Sequence, residues 1–458
     1  MLHMNGCKKN DTMILCFTVI SCVQNCLSEA IMFRDVVTIK GFRSLLLQML
    51  IALILGALVF STLVYRQQQN MKQNTQKPEG VTTVTIDLSS QIGTSQFMIG
   101  VTRTQLDQGP MTPLGHQLMR EAVAIQNVFI NGWGTSDPEP SKGHYDWSSL
   151  DARVKDIQSD GSQAIISLCC APDWMKGSSN IEAAPLPQHY SDFAQLAAQV
   201  VARYRTVKIF QVWNELKGFN GNYQVYTTLY NDVYDAVKAV RPDAKLGGPY
   251  LGVLPGLPAE DRAVYTYWLN NKLGGDYILL DGGPLLGART DEFNSTFFSD
   301  WINWIREQPY GGATLPIGWA EAYTRGLPDN SSISANHYNA TFADDTISNI
   351  KLGVSYALQW GASSPHGVTE NPDIPETMMT DSGQPTPMFY SMKDFKNYFG
   401  PGTPLYRTAV SSPNVTALAS RAKTMLVNHL PSNQIITVNG TTLNLAPYEV
   451  LIINTSGG

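Results

Sequence analysis

The chain has 458 residues, 32 Lys and Arg against 38 Asp and Glu, a formal net charge of −6, and 43% hydrophobic residues. That length holds one large domain or two smaller ones. No long run of like charge stands out, so neither nucleic acid nor an acidic polymer is indicated as a partner.

Residues 1–43 read as a cytoplasmic segment. Within them, 12–31 is moderately apolar but broken by Gln24, Asn25 and Glu29. It is either a second, weak membrane segment or translated sequence upstream of a start at Met32. Residues 44–65 (SLLLQMLIALILGALVFSTLVY) are uncharged and apolar apart from Gln48. Roughly 20 apolar residues suffice to span the hydrocarbon core as a helix, so this is a transmembrane anchor. Arg34, Lys40 and Arg43 before it place the N-terminus inside and the remainder outside. No small-residue cleavage site follows, which favours a retained anchor. Residues 66–80 are polar and Gln/Asn-rich, a flexible stalk. Beyond the anchor the only cysteines are the neighbours Cys169 and Cys170. They are expected to be two buried thiols, a vicinal disulfide being the other possibility. Several Asn-x-Ser/Thr sequons beyond the anchor, the first of them at Asn294, become glycosylation sites only in a eukaryotic secretory pathway.

From 97 onward, strand and helix patterns alternate. Strands are predicted at 97–102, 125–130, 164–168, 208–213, 245–248, 277–280, 317–319 and 353–360. Helical spacing falls at 112–124, 147–158, 190–204, 225–240 and 297–306, with a Ser/Thr-rich helix between the last two strands. About eight βα units argue for a parallel sheet closed as a (β/α)8 TIM barrel over 96–400. No nucleotide-binding glycine loop supports an open sheet. After 400 the pattern changes to short strands at 424–428, 434–438 and 450–453. Together with 81–95 these form a small antiparallel β domain over 81–95 and 401–458, discontinuous in sequence.

Two segments carry the chemistry. Residues 210–216 (FQVWNEL) and 315–323 (LPIGWAEAY) are each an apolar strand ending in an aromatic and then a glutamate, Glu215 and Glu321. Barrel active sites lie at the C-terminal ends of strands. A carboxylate buried there is costly unless paired or used. Glycoside hydrolysis needs two carboxyls, one protonated and one ionised, and close placement separates their pKa values. The fourth and seventh strands of a barrel can present them across its mouth. Trp133, Trp174, Trp319 and Trp360 at strand ends are candidate sugar platforms, and Asn131 and Gln359 candidate contacts for hydroxyls. The scattered histidines form no metal motif, and no cofactor is indicated.

Trp213-Asn214-Glu215 resembles the strand-four motif of clan A glycoside hydrolases, and Glu321 resembles their strand-seven nucleophile. Tyr145-x-Trp147 with Leu150-Asp151, and Ala171-Pro172-Asp173-Trp174, are similar to further segments of those enzymes. The nearest family is glycoside hydrolase family 39, whose members include β-xylosidases and α-L-iduronidases. The resemblance implies retaining hydrolysis of β-linked glycans by double displacement. Glu321 would be the nucleophile, Glu215 the acid/base, and Asn214 a contact for the sugar 2-hydroxyl. Two departures stand out. Leu216 follows the Asn-Glu pair where the family places proline. Asp281 is the polar residue of the sixth strand where the family offers His or Tyr. A silent carbohydrate-binding barrel and a transglycosylase keep most of the same residues. The implied partners are an oligo- or polysaccharide and, through the N-terminal helix, a membrane.

Overall fold

The computed structural model describes residues 81–102, 113–284, 293, 296–324, 334–361, 377–380 and 383–455. The expected anchor at 44–65, the segment before it and the stalk at 66–80 lie outside the described residues. Among the described residues, no helix is long and apolar enough to cross a membrane.

Eight strands close a parallel barrel in sequence order. They are β2 (Met98–Thr102), β3 (Ile125–Phe129), β4 (Gln163–Leu168), β5 (Ile209–Val212), β6 (Lys245–Gly252), β7 (Tyr277–Gly282), β8 (Ile317–Ala322) and β9 (Tyr356–Gln359). The last, β9, pairs with β2 to complete the ring. Each strand is followed by a helix: α1 (Pro113–Ala122), α2 (Ser148–Ser159), α3 (Tyr190–Arg203), α4 (Tyr223–Val240), α5 (Ala259–Asn271), α6 (Phe297–Arg306), α7 (Ala335–Lys351) and α8 (Pro387–Tyr398). The alternation expected from the sequence is therefore present.

Two helices were not anticipated. In α5 the buried residues are Val264, Tyr265, Trp268 and Leu269, a narrow stripe among polar neighbours that gives little helical periodicity. In α8 a proline, Pro387, occupies the first turn, where its missing N–H costs nothing.

The strands are apolar and buried on both faces, as a covered parallel sheet requires. Ile125, Ile165, Ile209, Leu279, Tyr356 and Leu358 fill the barrel interior. A larger cluster, including Phe193, Leu196, Phe210, Trp268, Trp301 and Trp319, packs the barrel against its helices. The interior also contains a polar chain. Asn127 Nδ2 donates to Ser167 Oγ at 3.3 Å, Ser167 Oγ to Gln211 Oε1 at 2.8 Å, and Gln211 Nε2 to the Tyr356 hydroxyl at 3.1 Å. Buried polar groups linked in this way satisfy one another and lock their side chains.

In the barrel, two β-bulges break strand alternation. Between β7 and β8, Leu280 pairs with Trp319 but the next residue, Asp281, pairs with Glu321, so Ala320 is an extra residue on β8. Between β6 and β7, Gly248 pairs with Ile278 and Leu251 with Leu280, which leaves one extra residue in the Pro249–Tyr250 step of β6. A bulge re-aims the side chains beyond it.

The second sheet has seven strands in the order β14-β13-β1-β10-β11-β12-β15. Its members are β1 (Thr82–Thr94), β10 (Pro404–Val410), β11 (Val415–Ser420), β12 (Lys423–Asn428), β13 (Gln434–Val438), β14 (Thr441–Leu445) and β15 (Val450–Asn454). It is larger than expected from the sequence and not wholly antiparallel, because β1 runs antiparallel to β10 but parallel to β13. Thus the first described strand is stitched between strands from the end of the chain. The expectation of free thiols is corrected: Cys169 and Cys170, 3.0 Å apart at Cα across a cis peptide bond, are joined by a disulfide.

Gly318 faces into the barrel, where an added Cβ would lie 2.3 Å from the Tyr356 ring. Overpacking of this kind costs roughly 1–3 kcal/mol. Gly318→Ala should lower the urea midpoint of unfolding accordingly, without changing the denaturant slope.

Candidate active site

Glu215 and Glu321 meet at the C-terminal rim of the barrel with Asp281. One carboxylate oxygen from each lies within 4.8 Å of the others. Asp281 and Glu321 are each 3% exposed. The Glu215 side chain is 20% exposed and faces outward to Lys217, with which it forms an ion pair.

The bulge at Ala320 puts Glu321 here. Trp319 belongs to the layer between barrel and helices, where it packs on Phe297 and Phe298 and donates Nε1–H to Asn349 at 2.9 Å. Without the extra residue, Glu321 would share the orientation of Trp319. With it, Glu321 turns inward and is gripped by two phenols. Tyr250 donates to Oε1 at 2.8 Å and Tyr323 to Oε2 at 2.5 Å. Tyr250 is carried inward by the bulge on β6, with φ at 47°. Gly283 lets the ends of β7 and β8 approach, since a Cβ there would lie 1.9 Å from the Tyr323 carbonyl oxygen.

Glu215 sits on strained backbone. Trp213, Glu215 and Leu216 have φ of 76°, 46° and 55°. Each such non-glycine residue costs on the order of 1 kcal/mol and persists only where its surroundings hold it. Here the Trp213 ring does so, buried edge-on against Phe193 and Phe219, with its Nε1–H on the Lys217 carbonyl at 2.7 Å. Leu216 explains one departure from the family pattern: a proline ring fixes φ near −65° and cannot occupy this position.

Burial dominates the electrostatics. It pushes the Glu321 carboxyl up to about 7, reinforced by the charge of Glu215, while the two tyrosine hydrogen bonds and Lys217 hold it from rising further. Burial, then the charges of Glu321 and Glu215, push Asp281 well above the usual Asp range. Burial also raises Tyr250 and Tyr323, which keeps both as neutral donors. Half-burial works against charge on Lys217, but its hydrogen bond to Glu215 and the charges of Glu215 and Glu182 outweigh it and hold the ammonium above the usual lysine range. Glu182 accepts from Lys217 at 3.2 Å and from Asn214 Nδ2 at 3.4 Å. Two carboxylates thus hold the Lys217 ammonium at the edge of the three-carboxyl cluster. The three clustered oxygens are spaced so that a cation could lie between them. The Lys217 ammonium already supplies positive charge beside Glu215.

The other expected residues divide. Asn214 is buried with Oδ1 unpartnered, an acceptor without a donor at the edge of the cluster. Trp360 stands beside the cluster, its ring tilted on Tyr323 at 5.6 Å and its backbone N–H on the Ala322 carbonyl. Trp133 lies half-buried beyond β3, tilted on Phe129. Trp174 lies beyond β4, its Nε1–H on the Glu139 carbonyl at 2.8 Å and its ring edge-on to His189. Asn131 is buried beyond β3, its backbone bonded to Cys169 and Cys170.

Two expectations fail. Trp319 is fully buried behind the barrel wall and presents no face to a ligand. Gln359 also turns to the helix layer, accepting from Thr324 and donating to Tyr338 of α7, both at 3.4 Å. The sequence reading missed Tyr250, Tyr323, Lys217 and Glu182. Tyr323 and Lys217 lie two residues beyond the two glutamates, which was the available signal. Nothing in the sequence marks Tyr250 or Glu182.

No protein-family model matches the chain, and no curated protein matches it by sequence. Solved structures do. A monomeric β-xylosidase from Caulobacter crescentus CB15 superposes with a TM-score of 0.58 at 16% identity, covering 78% of this chain and 82% of that one. A family 39 glycoside hydrolase from Xanthomonas axonopodis pv. citri gives 0.56 at 19% identity, covering 77% and 75%. A family 30 endoxylanase from Clostridium papyrosolvens C71 gives 0.54 at 14% identity, covering 81% and 100%. The chain shares its fold with glycoside hydrolases of families 39 and 30.

The raised Glu321 carboxyl has a consequence for stability that does not depend on substrate. The folded protein binds this proton more tightly than the unfolded chain does. The stabilisation is therefore fully present below the ordinary Glu range and is lost as pH rises through about 7. Glu321→Gln should gain on the wild type by about 1–3 kcal/mol between pH 5 and pH 8. Urea unfolding at the two pH values measures it; a difference independent of pH would contradict the assignment.

Proposed function

We propose that the chain is a retaining glycoside hydrolase acting on β-linked glycans. The observation that carries this is a pair of glutamates at the ends of the fourth and seventh barrel strands, with oxygens within 4.8 Å of each other. Retaining enzymes hold their carboxyls about 5–5.5 Å apart, and inverting enzymes hold them further apart to admit a water.

In this reading Glu321 attacks the anomeric carbon as the bond to the leaving oxygen breaks and Glu215 protonates that oxygen. Tyr250 and Tyr323 hold the attacking carboxylate and spread its charge through two donors. Water then attacks the same carbon, its proton passes to Glu215, and Glu321 departs as a carboxylate. The unpartnered Asn214 Oδ1 accepts from a hydroxyl of the bound sugar, and Trp360 offers a ring beside it. Glu182 and Lys217 keep Asn214 and Glu215 in place from the solvent side. With four carboxyls against one ammonium, a neutral sugar suits the site better than an anionic one. The apolar run at 44–65 supports a single-pass anchor with the barrel on the extracytoplasmic side.

A panel of aryl β-glycosides tests the reading on the wild type, Glu321→Ala and Glu215→Ala. Loss of the nucleophile should lower kcat on the order of 10⁴-fold or more. Loss of the acid/base should cost about 10²–10⁴-fold, less for good leaving groups. Turnover that neither substitution reduces would overturn the assignment.

A further inference from the structure

Asp281 has no role in the two-glutamate scheme, yet it is as buried as Glu321. Its position follows from strand register, for it pairs with Glu321 across β7 and β8 beyond the bulge. It is 3% exposed, and its Oδ2 is buried without a donor. Its carboxyl faces those of Glu215 and Glu321, with one oxygen of each within 4.8 Å. The groups packed around it are Glu321 and Tyr323 from β8 and its end, Tyr250 from β6, Tyr265 from α5, and Glu215 and Lys217 from the loop after β5. The phenols of Tyr250 and Tyr323 are committed to Glu321, and that of Tyr265 donates to the Leu279 carbonyl. The ammonium of Lys217 is committed to Glu215 and Glu182.

An ionised Asp281 would thus be an anion against two others, with a buried oxygen and no donor, an arrangement of high cost. A protonated Asp281 resolves this, because its O–H can be turned toward Glu215, one of whose carboxyl oxygens lies within 4.8 Å of its own. The same logic does not place the proton on Glu321, which already has two phenol donors.

We propose that Asp281 stores the proton of this three-carboxyl cluster and passes it to Glu215, which makes it a positioning residue acting through the acid/base rather than a contact for the sugar. The proposal rests on the reading of Glu215 as acid/base. In the first step the Asp281 O–H proton moves to Glu215 as Glu215 gives a proton to the leaving oxygen. Asp281 becomes a carboxylate while Glu321 becomes a neutral ester. In the second step Glu215 takes a proton from the attacking water and returns one to Asp281, as Glu321 becomes a carboxylate again. The cluster holds two negative charges at the start, in the intermediate and at the end.

Two measurements on the full chain test this. The first needs no substrate: 13Cγ-labelled aspartate is observed by NMR across pH, and the resonance missing in Asp281→Asn is assigned to Asp281. It should show a protonated carboxyl at pH 7, and Glu215→Gln should move its titration to lower pH. A signal titrating in the ordinary Asp range would overturn the proposal whatever the enzyme does. The second compares Asp281→Asn with the wild type on 4-nitrophenyl and phenyl β-D-xylopyranoside and β-D-glucopyranoside. The variant should lose about 10- to 100-fold in kcat on the phenyl glycosides and much less on the nitrophenyl ones. Equal loss on both, or loss in KM alone, would show a structural or sugar-binding role instead. If the wild type hydrolyses none of these but the NMR signal is protonated, the proton store stands and it is the hydrolase reading that fails.

Discussion

The structure depends on placing three carboxyls against one another in the mouth of a closed, largely apolar barrel. Each would be far more comfortable in water. Their burial is tolerated because every neighbour is matched to it. Two phenols donate to Glu321, an ammonium faces Glu215, and burial pushes Asp281 toward its neutral form. Perturbed groups of this kind gather where chemistry is done, because the same desolvation that destabilises a charge makes it reactive.

The barrel supplies the rigidity that such a cluster demands. Below the site, the chain from Asn127 through Ser167 and Gln211 to Tyr356 locks the polar interior. Around it, large rings such as Trp213, Trp268, Trp301 and Trp319 fix the helices against the wall. Several irregularities gather at the rim. Two bulges turn Glu321 and Tyr250 inward, and left-handed residues at Trp213, Glu215 and Leu216 set the loop that carries Glu215. A regular scaffold with strained residues at its mouth is what a site built from loops and strand ends needs.

Periodicity carried most of the barrel, because parallel strands are uniformly apolar and their helices carry a single buried stripe. It missed α5, whose stripe is narrow, α8, and in the second sheet β10, β11 and the exposed, polar β14. At the site, the motif around Asn214-Glu215 and the strand ending at Glu321 were legible because an acid after an apolar strand is costly and therefore visible. What could not be read was orientation. Strand alternation assumes no extra residue, and one bulge is enough to send Trp319 outward and Glu321 inward. Gln359 follows the regular alternation of β9 and so faces α7, where Tyr338 takes it up. Tyr250 was invisible because its role depends on a second bulge, and Glu182 because it reaches the site from a loop.

The central claim is that Glu321 is the carboxylate that bonds to the sugar, held for that purpose by Tyr250 and Tyr323. It is tested most directly by trapping. The protein is incubated with 2-deoxy-2-fluoro-β-glycosyl fluorides of xylose and glucose, and peptides are then analysed by mass spectrometry. A single fluoroglycosyl adduct on Glu321, absent in Glu321→Gln, is the predicted result. An adduct on Glu215 or Asp281 would contradict the account.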